Sequence, residues 1–320
     1  MKISPKATYK LTLLWAFAES GLGGLLHGLH VPVTGFVLGA FSVVIISLIA
    51  CYSTNQTRDI LTSTLLVLVV KFSVSPHSPL PAYVALLFQG CVGAIMFKLF
   101  RYNAFSLISF SIIAMVESAI QKPLLATIIF GKELWLAVDE YVNKLLVLTT
   151  DQTFTSFSIY FLSTYTILYA VWGVVVGIWA YKLPIKLAGL SVVEQSIINV
   201  NTLQAGPKRK RWFFIGIFLV ILLLLAFYVF DMPTPLLYIT RTIIIVVLIY
   251  FLITPIVRYF LKRFTAQHHS FIANFNKALP ELKITLQKAN QFASSHKGLY
   301  KRWSTFLLYL LYLNLQDETS

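Results

Sequence analysis

The chain has 320 residues, of which 58% are hydrophobic and only 12% are charged, and its mean hydropathy is +0.77. A soluble domain carries about 25% charged residues, so this composition excludes a large soluble protein and is typical of a polytopic membrane protein. The formal net charge of +14 does not indicate nucleic-acid binding here, because basic residues beside apolar segments are expected in loops that face anionic lipid.

Eight apolar segments follow one another along the chain, each close to the ~20 residues that a helix needs to cross a bilayer. They are 9–27, 33–52, 60–75, 81–99, 103–120, 156–181, 212–230 and 236–258. The sequence therefore predicts an all-α membrane helix bundle with about eight transmembrane helices. The two cysteines, Cys51 and Cys91, lie within these segments and are interpreted as packing residues.

Basic residues outside the apolar segments fall on one side of this threading if the N-terminus is placed inside. The inner positions are Lys2, Lys6, Lys10, Arg58, Lys98, Arg101, Lys182, Lys186, Lys208, Arg209, Lys210, Arg211, Arg258, Lys262, Arg263 and the rest of the basic tail. The outer loops keep only Lys122, Lys132 and Lys144. Because cytoplasmic loops are enriched in Lys and Arg, we expect both termini to be cytoplasmic and the protein to be a multi-pass inner (plasma) membrane protein.

Composition further divides the chain into four parts. Residues 1–182 are predicted to form a six-helix membrane domain with a solute pocket, followed by a basic cytoplasmic loop over 183–211. Residues 212–260 are predicted to add two membrane helices. A basic cytoplasmic or interfacial helical tail covers 261–320.

The first apolar segment carries a ladder of small residues spaced four apart, comprising Ala16, Ser20, Gly24 and Gly28. Small residues let helices approach closely in lipid. The ladder predicts either packing within the bundle or docking of a separate membrane partner. Similar pairs, Gly35 with Gly39, Gly90 with Ala94 and Gly173 with Gly177, are interpreted as packing within the bundle.

Ionisable residues occur inside the apolar segments at Glu19, Lys71 and Glu117. Such groups usually face a cavity or pair with one another. Lys71 and Glu117 are at similar depth, which allows an ion pair between them, and Gln89 lies somewhat deeper. The alternatives are a structural pair and a polar pocket open to the outside, lined by Lys71, Gln89 and Glu117.

Three histidines, His27, His30 and His77, belong near the outer ends of apolar segments. Imidazoles can bind transition metals, but no cysteine or acidic partner accompanies them, so no metal site is predicted. We expect His30 and His77 to lie at the mouth of the pocket.

An amphipathic helix is predicted over 124–149, with Leu134, Val138 and Leu146 on its apolar face. Glu140 and Lys144 form a favourable i,i+4 pair on the opposite face. This helix is expected to lie at the outer surface, either as a simple connection or as a lid over the pocket.

The tail carries two amphipathic stripes separated by Gly298. The first consists of Leu282, Leu286, Ala289 and Ala293, and the second of Leu299, Trp303, Phe306, Leu307, Leu310 and Leu311. Neither is long enough to cross a bilayer. Both are predicted to lie along the inner face or to dock on a soluble partner.

Residues 1–182 resemble the substrate-binding S component of energy-coupling factor (ECF) transporters. The resemblance rests on six spans with both ends inside, on the small-residue ladder, and on the stretches 28–35, 75–79 and 88–90. It implies that the ladder packs against a transmembrane coupling subunit carried by cytosolic ATPases. The C-terminal extension resembles a truncated coupling subunit, in which Arg302 would be the basic docking residue, although bulky Trp303 stands where a small residue is expected.

These features predict a transport component that captures a small solute, such as a vitamin or other micronutrient, from outside. The alternative is a membrane assembly or scaffold protein that recruits a cytosolic partner through its tail. An enzyme acting on lipid ranks last, because the sequence has no convincing acid–base or metal constellation at the inner interface. The sequence also has no phosphate-binding loop, nucleophile elbow or metalloprotease helix. We therefore expect no catalytic residues and no cofactor, and any ATP-driven step requires another chain.

Overall fold

The computed structural model describes residues 5–23, 34–75, 78, 80–150, 156–190, 269–295 and 298–315, with isolated helical positions between 243 and 263. These residues are mostly helical and contain no strand. The helices are α1 (Pro5–Phe17), a π-helical segment (Ala18–Leu22), α2 (Thr34–Tyr52), α3 (Gln56–Val74), α4 (Leu80–Phe100), α5 (Ala104–Phe130), α6 (Glu133–Thr150), α7 (Phe157–Ala188), α8 (His269–Ser294) and α9 (Leu299–Leu315).

Four of these helices are long and apolar enough to cross a bilayer. They comprise Gly35–Tyr52 of α2, Leu80–Phe100 (α4), Ala104–Phe130 (α5) and Phe157–Ala188 (α7). The prediction of an α-helical membrane protein is confirmed at this level. The number of eight spans and the cytoplasmic position of both termini stay predictions. The seventh predicted span, 212–230, lies outside the described residues, and the eighth is represented by isolated helical positions.

Helix α5 is longer than the predicted segment 103–120, because it continues through Pro123 to Phe130. The Thr127 hydroxyl donates a hydrogen bond of 2.8 Å to the Pro123 carbonyl. The helix ends at Gly131, whose φ of 77° lies in the left-handed region that favours glycine after a helix. The prediction of an amphipathic helix starting at residue 124 is therefore wrong in its boundary, and α6 begins at Glu133.

The described chain forms two compact units. Unit 1 comprises Met1–Ser118, Leu168–Asn201 and Phe264–Ser320, and unit 2 comprises Ala119–Ile167 and Thr202–Arg263. The four-part division predicted above follows composition along the chain, whereas these units follow contacts in space. The four-part division therefore stays a prediction.

Unit 1 is built around α1 to α4, whose interdigitated apolar side chains include the fully buried Trp15, Ile45, Leu48 and Phe97. The connections 53–55, 75–79 and 101–103 are short, which makes the helices they join antiparallel neighbours. The starts of α1, α3 and α5 therefore share one end of the bundle with the ends of α2 and α4. We call it the basic end, because it gathers Lys6, Lys10, Arg58, Lys98 and Arg101.

Glycines bring the backbones of α5 and α7 into direct contact. A Cβ atom added at Gly173 would lie 2.8 Å from the Ile112 Cα, and one added at Gly177 would lie 2.7 Å from the Ile108 Cα. Residue numbers rise along α7 as they fall along α5, so the two helices are antiparallel. The prediction that this glycine pair serves packing within the bundle is confirmed.

Helices α8 and α9 form a hairpin that docks on the start of α1. Phe292 and Tyr309 stack with ring centroids 4.7 Å apart. Phe271 meets Tyr9 edge to face at 5.8 Å, and the Asn314 amide donates a hydrogen bond of 3.1 Å to the Lys10 carbonyl. The hairpin therefore lies at the basic end of unit 1.

The two stripes predicted for the tail have different outcomes. In the first, Leu282, Ala289 and Ala293 are buried, as are Leu310 and Leu311 in the second. Trp303 is 63% exposed, so the second stripe is not buried along its whole length. The pairing of Phe292 with Tyr309 places Trp303 opposite Gly298, beyond the end of α8 at Ser294, where the partner helix has already stopped.

Unit 2 contains a carboxylate cap between two helices. Asp139 of α6 accepts hydrogen bonds from the Ser158 backbone N–H (2.6 Å) and from the Ser158 hydroxyl (3.0 Å), in the first turn of α7. The first N–H groups of a helix have no partner within the helix. A carboxylate at this position satisfies one of them and is stabilised by the helix dipole.

Replacing Asp139 with alanine is expected to destabilise the start of α7 by about 0.5–2 kcal/mol, the usual cost of losing a helix cap. Hydrogen exchange of the Ser158 amide is the measurement, and it should become faster in the variant. Glu140→Gln is the matched control, because Glu140 is exposed and pairs with Lys144 instead. Unchanged exchange at Ser158 in Asp139→Ala would show that the cap is dispensable.

Candidate functional site

The main polar feature of unit 1 is an ion pair buried among apolar helices. The Lys71 Nζ lies 2.6 Å from the Glu19 Oε2. Lys71 is 1% exposed and Glu19 is 7% exposed. By contrast, the ion pair between Glu140 and Lys144 in unit 2 is exposed to solvent. Because a buried charge needs a partner and further hydrogen bonds, the surroundings of the Glu19–Lys71 pair decide whether it is stable.

Glu19 is positioned by the π-helical segment that continues α1. The Gly23 N–H donates to the Ala18 carbonyl, the i→i+5 pattern of a π-helix. The Ser20 hydroxyl donates to the Ala16 carbonyl at 2.5 Å, and such back-bonding bends or loosens the local helix. A π-turn holds one residue more than an α-turn, so it rotates the following side chains around the axis. Turns of this kind are frequent at functional sites.

Both oxygens of the Glu19 carboxylate have a hydrogen-bond donor. The Ser42 hydroxyl of α2 donates to Oε1 at 2.7 Å, and Lys71 of α3 donates to Oε2. The Trp15 indole N–H donates in turn to the Ser42 hydroxyl at 2.9 Å. This arrangement fixes the carboxylate from two sides.

Lys71 also faces an aromatic ring. Its Nζ lies 5.9 Å from the centroid of the Tyr83 ring of α4, a distance at which a cation is attracted to the ring face. The Tyr83 hydroxyl donates to the Ser75 carbonyl at 3.1 Å, which anchors the ring. We call these five residues the polar centre; they are Trp15, Glu19, Ser42, Lys71 and Tyr83, and they join α1, the π-helical segment, α2, α3 and α4.

Gln89 lies close to the polar centre. It is 3% exposed, and its Nε2 lies 3.5 Å from the point that a Cβ of Gly39 would occupy. Gly39 precedes Ser42 by three residues, or about 4.5 Å of helix. The structure therefore brings two predicted substrate-binding residues, Lys71 and Gln89, to adjacent turns of α2.

Glu117 does not form the ion pair with Lys71 that the sequence allows, because Lys71 pairs with Glu19. Glu117 is half-buried on α5, and its Oε2 has no hydrogen-bond partner. Its neighbour Ser118 contacts α2 near Gly39, where the hydroxyl lies 3.1 Å from the position of an added Cβ. Lys71 and Glu117 lie at similar depths along their helices. Lys71 nevertheless pairs with Glu19, because pairing also depends on the direction in which each side chain leaves its helix axis.

The remaining predicted residues are placed as follows. His30, His77, Gly24 and Gly28 lie outside the described residues. Ala16 is 0% exposed and Ser20 is 5% exposed, so these two ladder residues pack within the chain itself. Arg302 is exposed on α9. Docking of a partner subunit through the ladder or through Arg302 stays a prediction.

Four residues of the polar centre, Trp15, Glu19, Ser42 and Tyr83, are absent from the predicted site, although Glu19 is recognisable in the sequence as a charge within an apolar segment. Trp15 precedes Glu19 by four residues, so a shared helical face is readable from the sequence. Ser42 and Tyr83 give no such signal, because a hydroxyl in an apolar segment ordinarily bonds to its own helix. Among the described residues, no group of three or more metal-binding side chains comes together.

Comparison with protein families, with characterised proteins and with solved structures gives no match for this chain. The resemblance to an ECF S component therefore stays a prediction. The interpretation of function rests on the chain's own geometry, which combines helices apolar and long enough to cross a membrane with a buried charge pair whose carboxylate accepts two hydrogen bonds.

Proposed function

We propose that this protein is a membrane transport component that captures a small solute from the outer side of the membrane for uptake driven by separate ATPase subunits. The observation that carries the proposal is the Glu19–Lys71 pair, which is buried within a bundle of apolar helices. The polar centre and Gln89 are the proposed solute-binding region.

Energetics support a functional role for the pair. A charged side chain at the centre of a membrane helix costs at least ~2.5–3.5 kcal/mol. Replacing a buried ion pair with well-packed apolar residues is often neutral or stabilising, so a bundle selected for stability alone has no need of one. Ionisable residues in membrane helices commonly mark solute or ion pathways.

The position of the pair supports access from outside. Lys71 lies three residues before the end of α3 at Val74, about 4.5 Å of helix, and thus near the end of the bundle opposite the basic end. Lys and Arg are enriched on the cytoplasmic side of membrane proteins. With the basic end facing the cytoplasm, the polar centre lies toward the outer face.

The π-helical segment offers a means of opening the region. If the segment changes to α-helical geometry, the residues that follow it rotate around the helix axis by about 100°, the angle of one residue, and Glu19 within the segment rotates by part of that angle. Such a rotation would separate its carboxylate from Lys71 and Ser42 and free both charges for a solute. The chain has no phosphate-binding loop, so ATP hydrolysis is assigned to partner subunits reached through a membrane coupling subunit.

The alternative function, a scaffold that recruits a soluble partner through the tail, is less well supported. The apolar stripes that such a partner would bind are largely occupied within the chain, since Leu282, Ala289 and Leu311 are buried. A scaffold would lose its function when residues 262–320 are removed, whereas a solute-binding protein would retain its ligand in detergent.

Native mass spectrometry of the full-length protein in mild detergent tests the proposal. We expect a small molecule to co-purify with the wild type and to be lost from the double variant Glu19→Gln/Lys71→Met, in which neither charge remains. The matched control is Glu140→Gln/Lys144→Met, which neutralises the exposed pair and should retain the molecule. A folded Glu19→Gln/Lys71→Met protein that carries the same molecule at wild-type occupancy would disprove the assignment.

A further inference from the structure

We propose that the first turns of α9 form a binding surface for anionic lipid headgroups, made by Lys301, Arg302 and Trp303. This inference is independent of the solute-binding region, because it concerns the hairpin at the basic end. We call these three residues the hairpin tip.

The hairpin tip is exposed. Lys301 and Arg302 are exposed, and Trp303 is 63% exposed, the one exposed large apolar side chain in the described part of the hairpin. The aromatic contact of the Trp303 ring is with Phe306 of the same helix, at 6.2 Å. A tryptophan left this open next to two cations is typical of the membrane–water interface, where the ring lies among headgroups.

The hairpin is attached to the start of α1 at a fixed level. Near the start of α1, the Tyr9 ring packs against Phe271 of the hairpin. The Lys10 carbonyl accepts a hydrogen bond from Asn314. Trp303 precedes Asn314 by eleven residues, or about 16 Å of helix. The tip therefore extends away from α1 while remaining tied to the end of the bundle where the bilayer surface is expected.

Charge favours an anionic lipid over other partners. The described part of the hairpin carries five cations, Lys277, Lys283, Lys288, Lys301 and Arg302, against one acid, Glu281. The anionic surface of a cytoplasmic leaflet attracts basic residues next to a membrane helix. Attachment to α1 keeps the tip close to that surface at all times, whereas a soluble partner must be captured from solution.

Tryptophan fluorescence of the full-length protein in lipid nanodiscs tests the inference. The difference between wild type and Trp303→Phe isolates the Trp303 signal among the six tryptophans. In discs of brominated phosphatidylcholine with phosphatidylglycerol, we expect the Trp303 signal to be quenched by the bromine atoms and protected from aqueous iodide. In discs without phosphatidylglycerol, the protection should be much weaker.

Removing the two charges should weaken this docking. Each Lys or Arg near an anionic surface contributes a factor of about five, so Lys301→Gln/Arg302→Gln should lower the equilibrium constant for Trp303 protection about thirtyfold. The matched control is Lys277→Gln/Lys283→Gln, which removes two exposed cations of α8 far from the tryptophan and should have a much smaller effect.

Two outcomes would overturn the inference. One is a Trp303 signal that is quenched equally by iodide with and without phosphatidylglycerol and is insensitive to brominated lipid. The other is protection that appears only when a soluble protein fraction is added, because this would assign the hairpin tip to a cytosolic partner such as an ATPase.

Discussion

Replacing Glu19 with alanine should destabilise the protein by roughly 3–5 kcal/mol, the cost of leaving one member of a buried ion pair without its partner. The Lys71 ammonium is 1% exposed, so water cannot replace the lost carboxylate. The Tyr83 ring, 5.9 Å from the Nζ, offsets only part of this loss. Denaturant unfolding in mixed micelles, followed by circular dichroism, measures the change.

A double-mutant cycle separates the interaction from the loss of each side chain. Lys71→Met added to Glu19→Ala removes the unpaired charge and should recover most of the lost stability. Neutralising the exposed Glu140–Lys144 pair should have no measurable effect, because its side chains are 69% and 71% exposed. If the free energy of unfolding changes as little in Glu19→Ala as in this exposed control, the Glu19–Lys71 pair is not buried.

The second large effect is expected at the contact between α5 and α7. Valine at Gly173 or Gly177 should destabilise the bundle by roughly 1–3 kcal/mol at each site, the usual cost of overpacking. The added Cβ would meet the Cα atoms of Ile112 and Ile108 at 2.8 and 2.7 Å, and backbone atoms cannot move aside as a flexible side chain can. Unfolding in mixed micelles is again the measurement.

Gly189→Ala is the matched control for these variants, since its added Cβ would have no atom nearer than 3.7 Å. It should leave stability unchanged. Equal stability of Gly177→Val and Gly189→Ala would rule out the close approach of the two helices.

The apolar helices are the part of the fold that the sequence predicts best. The predicted segments 33–52 and 81–99 differ by a residue or less at each end from Thr34–Tyr52 and Leu80–Phe100, because bilayer thickness sets the length of both. The prediction fails at the end of α5, where Pro123 looks like a helix breaker. Gly131 is the actual terminator, since its positive φ closes the helix.

The two charged residues of the candidate site are recognisable in the sequence, but their pairing is not. Glu19 and Lys71 both stand out as charges within apolar segments, and both lie in the polar centre. Hydropathy gives the depth of a residue along its helix, but not the direction in which its side chain leaves the axis. That direction depends on the π-helical segment at Ala18–Leu22, which changes the helical phase and has no recognisable pattern in the sequence.

The bond from Asn314 to Lys10 joins residues 304 positions apart in the chain, which has a consequence for biogenesis. Ribosomes add about 5–20 residues per second, so the beginning of α1 waits tens of seconds after its own synthesis before the segment that covers it exists. During that interval Tyr9 and its neighbours stay accessible to insertion factors and chaperones. The hairpin is therefore synthesised long after the helix that it covers.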